Sequence, residues 1–304
     1  MDSSDLQLLA QRARFMREAG IALLFASGIL ALFIFVPPAP GNIVSRPEEF
    51  PAVAFAAVPI EARAAIVYDI ATGETLYAKN ADAQLPLASL TKLLTVYAAL
   101  RELPPRTPVR ISEEAVRVEE PREFRAGQTL ALDDLARLTL TASLNDGAAA
   151  IAEAAASRKN LTQSALLAGA ASALGLSQTY AVNGNGLDVN TAVSGGYGSA
   201  RDLAVLAGAL VEQAPSIASA TTEPFAQAVS EGGTLFTVKN TDPMVGTLSR
   251  LLLSKTGYTD LAGGNLALVF DAGIRHPVAV VVLGSSLKER FTDGTALVAA
   301  ALAH

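Results

Sequence analysis

Residues 255–270 read KTGYTDLAGGNLALVF, and this stretch decides how the rest of the chain is interpreted. Its second half, residues 266–270, is an apolar run of the length of a buried strand. Its first half, Lys255-Thr256-Gly257, predicts a strand edge where an extended peptide could pair with free backbone groups. Lys255 and Thr256 supply a cation and a hydroxyl suited to binding a carboxylate, and Gly257 permits close approach of another backbone.

The flanking sequence predicts further strands and several helices. Residues 278–283 form a second buried run, and residues 64–69 and 74–78 predict a hairpin around the turn at residues 71–73. Helical spacing predicts helices over residues 90–103, 132–140, 147–156, 201–213 and 295–303. Strands at both ends with helices between them predict an α/β sheet domain with a helical insertion.

The composition excludes several kinds of site. The chain has no cysteine, which excludes a disulfide, a thiol nucleophile and a cysteine-ligated metal. Its two histidines, His276 and His304, make a histidine-rich zinc site a poor hypothesis, and we expect neither a metal nor a cofactor. The net charge of −6 and the lack of a basic patch argue against a nucleic-acid partner.

The first 60 residues predict a membrane segment and a linker. Residues 1–19 are a polar tail with three arginines, residues 20–37 hold an uncharged apolar run, and residues 38–60 are a proline-rich linker before a domain at 61–304. The run barely spans a hydrocarbon core of ~30 Å. Because the arginines precede it, we expect the tail in the cytoplasm and the domain outside, in the periplasm, as a single-pass protein of the cytoplasmic membrane. A cleaved signal peptide and a buried core helix are the alternatives to this anchor.

Ser89-Leu90-Thr91-Lys92 opens the predicted helix at residues 90–103 and brings a hydroxyl and an amine onto one helix face. A buried lysine beside a second cation, such as Lys255, has a lowered pKa and can remove the serine proton. The same Ser-x-x-Lys pattern recurs at Ser285-Ser286-Leu287-Lys288, after a predicted strand, so the pattern alone is weak. The plain structural alternative for Ser89 is a helix N-cap.

Ser143-Leu144-Asn145 lies between two predicted helices, where a hydroxyl and an amide two residues apart can point the same way. Ser143 could relay a proton to a leaving amine, and Asn145 could hold a substrate amide. The alternative is a pair of helix caps. Together, Ser-x-x-Lys, Ser-x-Asn and Lys-Thr-Gly in this order describe a serine acyl-transfer site that needs no histidine.

These segments resemble the low-molecular-mass penicillin-binding proteins, the D-alanyl-D-alanine carboxypeptidase family of S11-type serine peptidases. The resemblance covers about residues 62–303 and is most specific at residues 255–263. It implies a β-lactamase/transpeptidase-like fold of α+β type, with an antiparallel sheet flanked by helices and an inserted all-helical subdomain. It also implies a peptidoglycan stem peptide ending in D-Ala-D-Ala as substrate and β-lactam antibiotics as covalent inhibitors.

The resemblance also implies a role for each motif residue. Ser89 would be the acylated nucleophile and Lys92 its base, while Ser143 and Asn145 would move the proton and hold the substrate. Lys255 and Thr256, together with Arg290, would bind the substrate carboxylate. The backbone N–H groups of Ser89 and Tyr258 would form the oxyanion hole.

Two departures from the family pattern are visible. Leu144 is bulkier than the small residue usual at this position, which predicts a narrower cleft. Many relatives continue into a β-rich domain and a C-terminal amphipathic helix, whereas here the N-terminal apolar segment is expected to replace that anchor.

Three alternatives to a carboxypeptidase remain open. A D,D-endopeptidase that opens cross-links breaks the same type of bond and would carry the same motifs. A class A β-lactamase also needs a deacylating glutamate in a Glu-x-x-Leu-Asn-like segment, and none of the glutamates between the second and third motifs has that setting: Glu153, Glu212, Glu223 and Glu231. A non-catalytic cell-wall scaffold would require a decayed site, although all the motif residues are present.

Overall fold

The computed structural model describes residues 58–303, together with Met16 and Phe55. The chain divides into two units, Met1–Ala52 and Val53–His304, and the second is described here. The predicted tail at 1–19, the apolar segment at 20–37 and most of the linker lie outside the described residues. Within the described part of the chain, no helix is both long enough and apolar enough to span a bilayer.

The strands lie mostly at the two ends of the domain. In chain order they are β1 (Ala64–Asp69), β2 (Thr75–Lys79), β3 (Leu85–Pro86), β4 (Pro108–Arg110), β5 (Thr129–Ala131), β6 (Tyr180–Ala181), β7 (Gly196–Gly198), β8 (Phe225–Val229), β9 (Leu235–Lys239), β10 (Leu251–Thr259), β11 (Gly263–Asp271) and β12 (Pro277–Ser285). The helices are α1 (Thr91–Glu102), α2 (Leu132–Ala142), α3 (Asn145–Lys159), α4 (Gln163–Ala173), α5 (Ala200–Gln213), α6 (Pro215–Ala220) and α7 (Glu289–Leu302).

The main sheet has five antiparallel strands in the order β10-β11-β12-β1-β2. Its central strands are apolar on both faces, which explains their continuous hydrophobic runs. Ile66 and Val281 face the larger hydrophobic cluster, which they share with the helices between β2 and β10. Their neighbours Val67 and Val280 face a smaller cluster, which is closed by Leu297 of α7.

The predicted fold class is confirmed, with helices on both faces of an antiparallel sheet and a helical region inserted between β2 and β10. The predicted strand at residues 64–69 is observed over the same residues, and the predicted helices are observed with shifted ends. The inserted region is not purely helical, because it also contains the β4–β5 pair and the β8–β9 hairpin. Neither pair is among the predicted elements, and α4 is also an addition.

Strand β10 is an edge strand of the main sheet, so one of its sides is free of strand partners. The turn before α1 lies against this side, since residues 88–90 contact β10 extensively. The free edge of the sheet therefore faces the start of the inserted helices. This junction is where the three motifs meet.

Candidate active site

Ser89 lies in a single 3-10 turn, Ala88–Leu90, that leads directly into α1. The turn is strained at its first residue, because Ala88 adopts a left-handed φ of 49°. Gly186 packs against the Ala88 carbonyl so closely that a β-carbon there would overlap it. Asn265 of β11 donates to the Pro86 carbonyl at 3.0 Å and so fixes the strand that enters the turn. The main sheet and a loop therefore fix the backbone of the turn that carries Ser89.

The Ser89 side chain is not a helix cap. Leu90 occupies the N-cap position of α1, and no side chain caps that end. Lys92 instead donates from Nζ to Ser89 Oγ at 2.7 Å. The N-cap interpretation of Ser89 is therefore wrong, and its hydroxyl is paired with an amine instead of a backbone N–H group.

Lys92 is completely buried, and its Nζ contacts three oxygens. Besides Ser89 Oγ, they are Asn145 Oδ1 and the Asn185 carbonyl oxygen, each at 2.7 Å. Burial lowers the pKa of Lys92 well below its usual value, and the Lys255 ammonium lowers it further, against an opposing effect of the Asp146 carboxylate. An amine in this setting can exist in the neutral form that a general base requires.

Asn145 is oriented by a loop that crosses its amide. Its Nδ2 donates to the carbonyl oxygens of Glu119 and Glu120 at 3.0 and 2.9 Å, which leaves Oδ1 to face Lys92. Carbonyl oxygens accept only, so the amide cannot be reversed without losing both of these hydrogen bonds. A neutral Lys92 has two N–H groups and one lone pair. If the two N–H groups donate to Asn145 Oδ1 and to the Asn185 carbonyl, the lone pair is left to point at the Ser89 proton.

Ser143 ends α2 in a left-handed conformation with φ of 58°, so the cap interpretation of this position holds alongside the functional one. Its hydroxyl accepts from Lys255 Nζ at 2.9 Å. Leu144 is 3% exposed and packs within the larger hydrophobic cluster. The narrower cleft expected from its bulk stays a prediction.

Lys255 lies on β10 and is also buried, with Nζ bonded to Ser143 Oγ and, at 2.7 Å, to the Thr256 carbonyl oxygen. Burial and the nearby Arg290 guanidinium lower the pKa of Lys255 to about 7, against the opposing effect of Asp242. Beside it, the Thr256 hydroxyl lies 2.7 Å from that of Thr241. Lys255 is a cation that loses its charge close to neutral pH.

Gly257 is the point where β10 approaches the nucleophile turn most closely. A β-carbon at Gly257 would lie 3.0 Å from the Leu87 carbonyl oxygen and 3.2 Å from the Ser89 nitrogen. Only glycine fits here without displacing backbone. Tyr258 follows on the same strand edge, with its side chain 48% exposed.

Arg290, in the first turn of α7, reaches the same strand. Its Nη1 donates to the Gly257 carbonyl at 2.6 Å, and the guanidinium lies 4.7 Å from the centre of the Phe291 ring. The side chain is 7% exposed, and its buried Nε has no hydrogen-bond partner. Burial lowers the pKa of Arg290, although a guanidinium stays charged at any physiological pH.

The second Ser-x-x-Lys pattern serves the structure only. Ser285 is buried and donates to Asp293 at 2.8 Å, while Lys288 is exposed. The intervening Ser286 accepts from the N–H of Glu289, the first residue of α7, at 3.1 Å. This pattern brings no lysine to a serine.

The structure thus gathers all nine predicted residues into one junction: Ser89, Lys92, Ser143, Asn145, Lys255, Thr256, Gly257, Tyr258 and Arg290. It adds further residues that the sequence analysis does not single out, namely Asn185, Asp146, Thr241 and Asp242. Asp146, directly after the second motif, could have been found from the sequence, because a carboxylate at the start of a helix often binds backbone N–H groups. Asn185 belongs to a segment, Asn185-Gly186-Leu187, that resembles the middle region of the family, although its contact with Lys92 is through the backbone carbonyl. Thr241 and Asp242 lie in a loop without a pattern of their own.

Comparison with known proteins places these motifs in a family. The sequence model of the family described as "D-alanyl-D-alanine carboxypeptidase" matches residues 51–286. A D-alanyl-D-alanine endopeptidase of Pseudomonas aeruginosa is 32% identical over 240 residues, 77% of this chain and 74% of that protein. The D-alanyl-D-alanine carboxypeptidase DacC of Escherichia coli is 28% identical over 90% of this chain, which spans 66% of DacC.

Solved structures agree with the sequence comparison. A D-alanyl-D-alanine carboxypeptidase from Mycobacterium tuberculosis superposes with a TM-score of 0.71 at 25% identity, over 82% of this chain and 95% of that one. Penicillin-binding protein D2 from Listeria monocytogenes, in its cefotaxime-bound form, superposes with a TM-score of 0.66 at 27% identity, over 80% of this chain and 98% of that one. The fold is therefore shared with structures of this kind.

Proposed function

Since the chain belongs to the D-alanyl-D-alanine carboxypeptidase family of serine peptidases, we propose that it removes the terminal D-alanine from peptidoglycan stem peptides through an acyl-enzyme on Ser89. One observation carries the assignment of Ser89. A completely buried Lys92 places its Nζ 2.7 Å from Ser89 Oγ and is held by two other acceptors. A serine beside an amine in this environment is activated for nucleophilic attack.

Acylation follows from the contacts. Ser89 Oγ attacks the carbonyl carbon of the penultimate D-alanine while its proton moves to Lys92. The resulting oxyanion would be stabilised by the N–H groups of Ser89 and Tyr258, a contribution worth about 3–4 kcal/mol per donor. As the C–N bond breaks, the leaving amine takes the proton of the Ser143 hydroxyl, and Ser143 regains the proton that Lys92 took from Ser89, so Lys92 returns to its neutral form. Water then hydrolyses the ester and restores Ser89.

The terminal carboxylate of the substrate would bind at the Lys255 end of the cleft. The Lys255 ammonium and the Thr256 hydroxyl lie there, with the Arg290 guanidinium behind them. A β-lactam carries both an equivalent carboxylate and a strained amide. We therefore expect penicillin to acylate Ser89 and to remain bound as an ester.

A D,D-endopeptidase is the second candidate, and the comparisons give it specific support. The Pseudomonas aeruginosa relative at 32% identity is named an endopeptidase, as is an Escherichia coli relative at 30% identity, of which this chain spans 85%. Both activities break a bond on the carbonyl side of a D-alanine, so the same site serves either. What differs is the group on the leaving side.

Two substrates separate these candidates. Purified protein is incubated with a pentapeptide ending in D-Ala-D-Ala and, in parallel, with a cross-linked peptide dimer, using wild type and Ser89→Ala. The proposal expects D-alanine release from the pentapeptide by wild type alone. Cleavage of the dimer without D-alanine release would assign the endopeptidase activity instead. Rapid penicillin hydrolysis would point to a β-lactamase, and no penicillin labelling at all would point to a scaffold.

We also propose that the domain works outside the cytoplasmic membrane, held by residues 20–37. The support is the apolar run and the arginines that precede it. Cell fractionation tests this. Full-length protein should sediment with membranes and its domain should be cleaved by protease added to spheroplasts, while a soluble periplasmic protein of reduced mass would indicate a cleaved signal peptide.

A further inference from the structure

The segment between β9 and β10 braces the strand that carries the third motif. Thr241 Oγ1 lies 2.7 Å from Thr256 Oγ1, and Asp242 Oδ2 accepts from Ser254 Oγ at 2.6 Å. The second carboxylate oxygen of Asp242 accepts from the Met244 N–H at 2.7 Å. Asp242 itself is only 2% exposed. A carboxylate is therefore buried directly beside the residue that precedes Lys255.

The charges around this carboxylate are unbalanced. Lys255 of β10 and Arg290 of α7 are two buried cations at the same end of the cleft. The Lys255 charge also lowers the pKa of a third basic side chain, Lys92 of α1, and the α2 end contributes only the neutral Ser143 hydroxyl. Like charges buried together disfavour one another's charged forms. Asp242 supplies an opposing charge, and its field favours the charged forms of both Lys255 and Arg290.

We propose that Asp242 is a positioning residue that keeps Lys255 charged over the pH range in which the site captures a carboxylate. The inference rests on the proposed function in one respect, namely that Lys255 and Thr256 receive the substrate carboxylate. Asp242 acts through Lys255 and through the brace on Ser254, without touching the substrate.

The direction of the pH effect follows from the lysine. The pKa of Lys255 is about 7, so its ammonium is present below that pH and lost above it. Carboxylate capture should therefore weaken as the pH rises through the neutral range. Removing the Asp242 charge lowers the pKa of Lys255 further, so the loss of capture should begin at a lower pH.

The test is the Asp242→Asn variant, with acylation by benzylpenicillin as the readout. Asparagine has nearly the same shape, can accept from the Met244 N–H through Oδ1 and can donate to the Ser254 hydroxyl, so the brace persists while the charge is lost. The second-order acylation rate constant is measured between about pH 5.5 and about pH 9, a range that lies on both sides of the Lys255 pKa of about 7. In the variant, we expect the alkaline limb of the pH–rate profile to move to lower pH. At about pH 8 the rate constant should be roughly threefold or more below that of wild type, and at about pH 6 it should lie within about twofold of the wild-type value.

Asp260→Asn is the matched control, because it removes the same charge from an exposed position one residue beyond β10. Its alkaline limb should coincide with that of wild type. An Asp242→Asn limb that also coincides with wild type would overturn the inference. An equal loss of rate at every pH would overturn it too, because it would reduce Asp242 to a structural brace. Where D242N does not fold, Asp242→Ser, which can still accept from Met244, should show the same shift.

Failure of this inference is distinguishable from failure of the proposed function. Wild type that is acylated by penicillin but releases no D-alanine would refute the carboxypeptidase while leaving the Asp242 test intact. Normal D-alanine release by wild type, together with a D242N pH–rate profile whose alkaline limb coincides with that of wild type, would refute the role of Asp242 and leave the carboxypeptidase assignment intact.

Discussion

At the scale of single residues, the site depends on two buried lysines with opposite requirements. Lys92 must be neutral to take a proton from Ser89, whereas Lys255 must be charged to hold a carboxylate. Burial lowers the pKa of both lysines; the Lys255 ammonium further lowers the pKa of Lys92, and the Arg290 guanidinium further lowers that of Lys255. The account therefore predicts a bell-shaped pH dependence of acylation, with an acid limb from Lys92 and an alkaline limb from Lys255.

Asp146→Asn tests the acid limb. The Asp146 carboxylate is fully buried and favours the charged form of Lys92, so removing it lowers the pKa of Lys92 further. Since Lys92 acts in its neutral form, activity is lost as the pH falls through that pKa, and the acid limb of the pH–rate profile should move to lower pH. The pH profile of penicillin acylation measures this.

Asp146 also has a structural role that must be separated from its charge. Its carboxylate accepts from the N–H groups of Glu123, Phe124 and Gly147, each at 2.8 Å, and thereby anchors the loop that orients Asn145. Loss of that anchor would reduce the rate at all pH values. Only the pH at which the acid limb falls reports the effect of the Asp146 charge. An acid limb of Asp146→Asn at higher pH than that of wild type would contradict the account.

Gly257→Ala tests the close approach between β10 and the nucleophile turn. The new methyl group would press on the Leu87 carbonyl and on the Ser89 and Leu90 nitrogens, which are backbone atoms that cannot rotate away. We expect the acylation rate to fall about tenfold to a hundredfold, because displacement of reacting groups by a fraction of an ångström is costly.

Gly169→Ala is the control for that substitution. Gly169 lies in α4 with nothing within 4 Å of an added β-carbon. It should leave acylation unchanged and raise stability by up to about 1 kcal/mol, because alanine favours helix more than glycine. Equal acylation rates for the two variants would show that β10 does not constrain Ser89.

The motif residues could be predicted from the sequence, but their partners could not. Ser89, Lys92 and Lys255 belong to short patterns with a chemical logic of their own. Asn185 contributes only a backbone carbonyl, and Asp242 lies in a loop 12 residues before the Ser254 it bonds. Contacts of this kind depend on how distant segments meet, which no local spacing reports.

At the scale of elements, α7 joins both ends of the domain to the sheet. Asp293, 3% exposed, accepts from the N–H groups of Glu61 and Ala62 at 3.0 and 2.9 Å and from the Ser285 hydroxyl at 2.8 Å. One side chain therefore secures the chain entering β1 and the chain leaving β12. The same helix carries Arg290 to the Gly257 carbonyl.

Asp293→Ala should destabilise the domain by about 2–4 kcal/mol, because it leaves buried N–H and O–H donors without an acceptor. The midpoint of urea unfolding, at constant m-value, measures the change. Glu289→Ala on the same helix removes an exposed carboxylate and should change stability by less than about 0.5 kcal/mol. Equal effects of the two substitutions would contradict this role of Asp293.

The strands of the main sheet were more predictable than the smaller elements. The runs at residues 64–69, 266–270 and 278–283 are apolar because both faces of the sheet are covered. The β8–β9 hairpin gives little sequence signal, because its residues alternate between exposed and buried while three of the exposed ones are apolar: Phe225, Val229 and Leu235. Helix α4 has a clearer signal at its start, because the N-cap Thr162 accepts from the Ala165 N–H through its hydroxyl at 3.2 Å.

At the scale of the whole molecule, the fold assembles one site from segments that are far apart in sequence. Lys92 and Asn145 are separated by 53 positions, and Ser143 and Lys255 by 112. The order of the motifs indicates such a site, but the strand order β10-β11-β12-β1-β2 is what puts β10 at the edge that faces Ser89. The sequence predicts the strands and the resemblance implies the fold, whereas the register and the loop contacts come from the structure.

The chain carries two Ser-x-x-Lys patterns, and the central claim is that only the first is reactive. The most direct measurement is to label the purified protein with benzylpenicillin, digest it and locate the adduct by mass spectrometry, with Ser89→Ala and Ser285→Ala in parallel. The account predicts a single adduct on Ser89, absent from Ser89→Ala and retained in Ser285→Ala. An adduct that persists in Ser89→Ala, or that maps to Ser285, would contradict it.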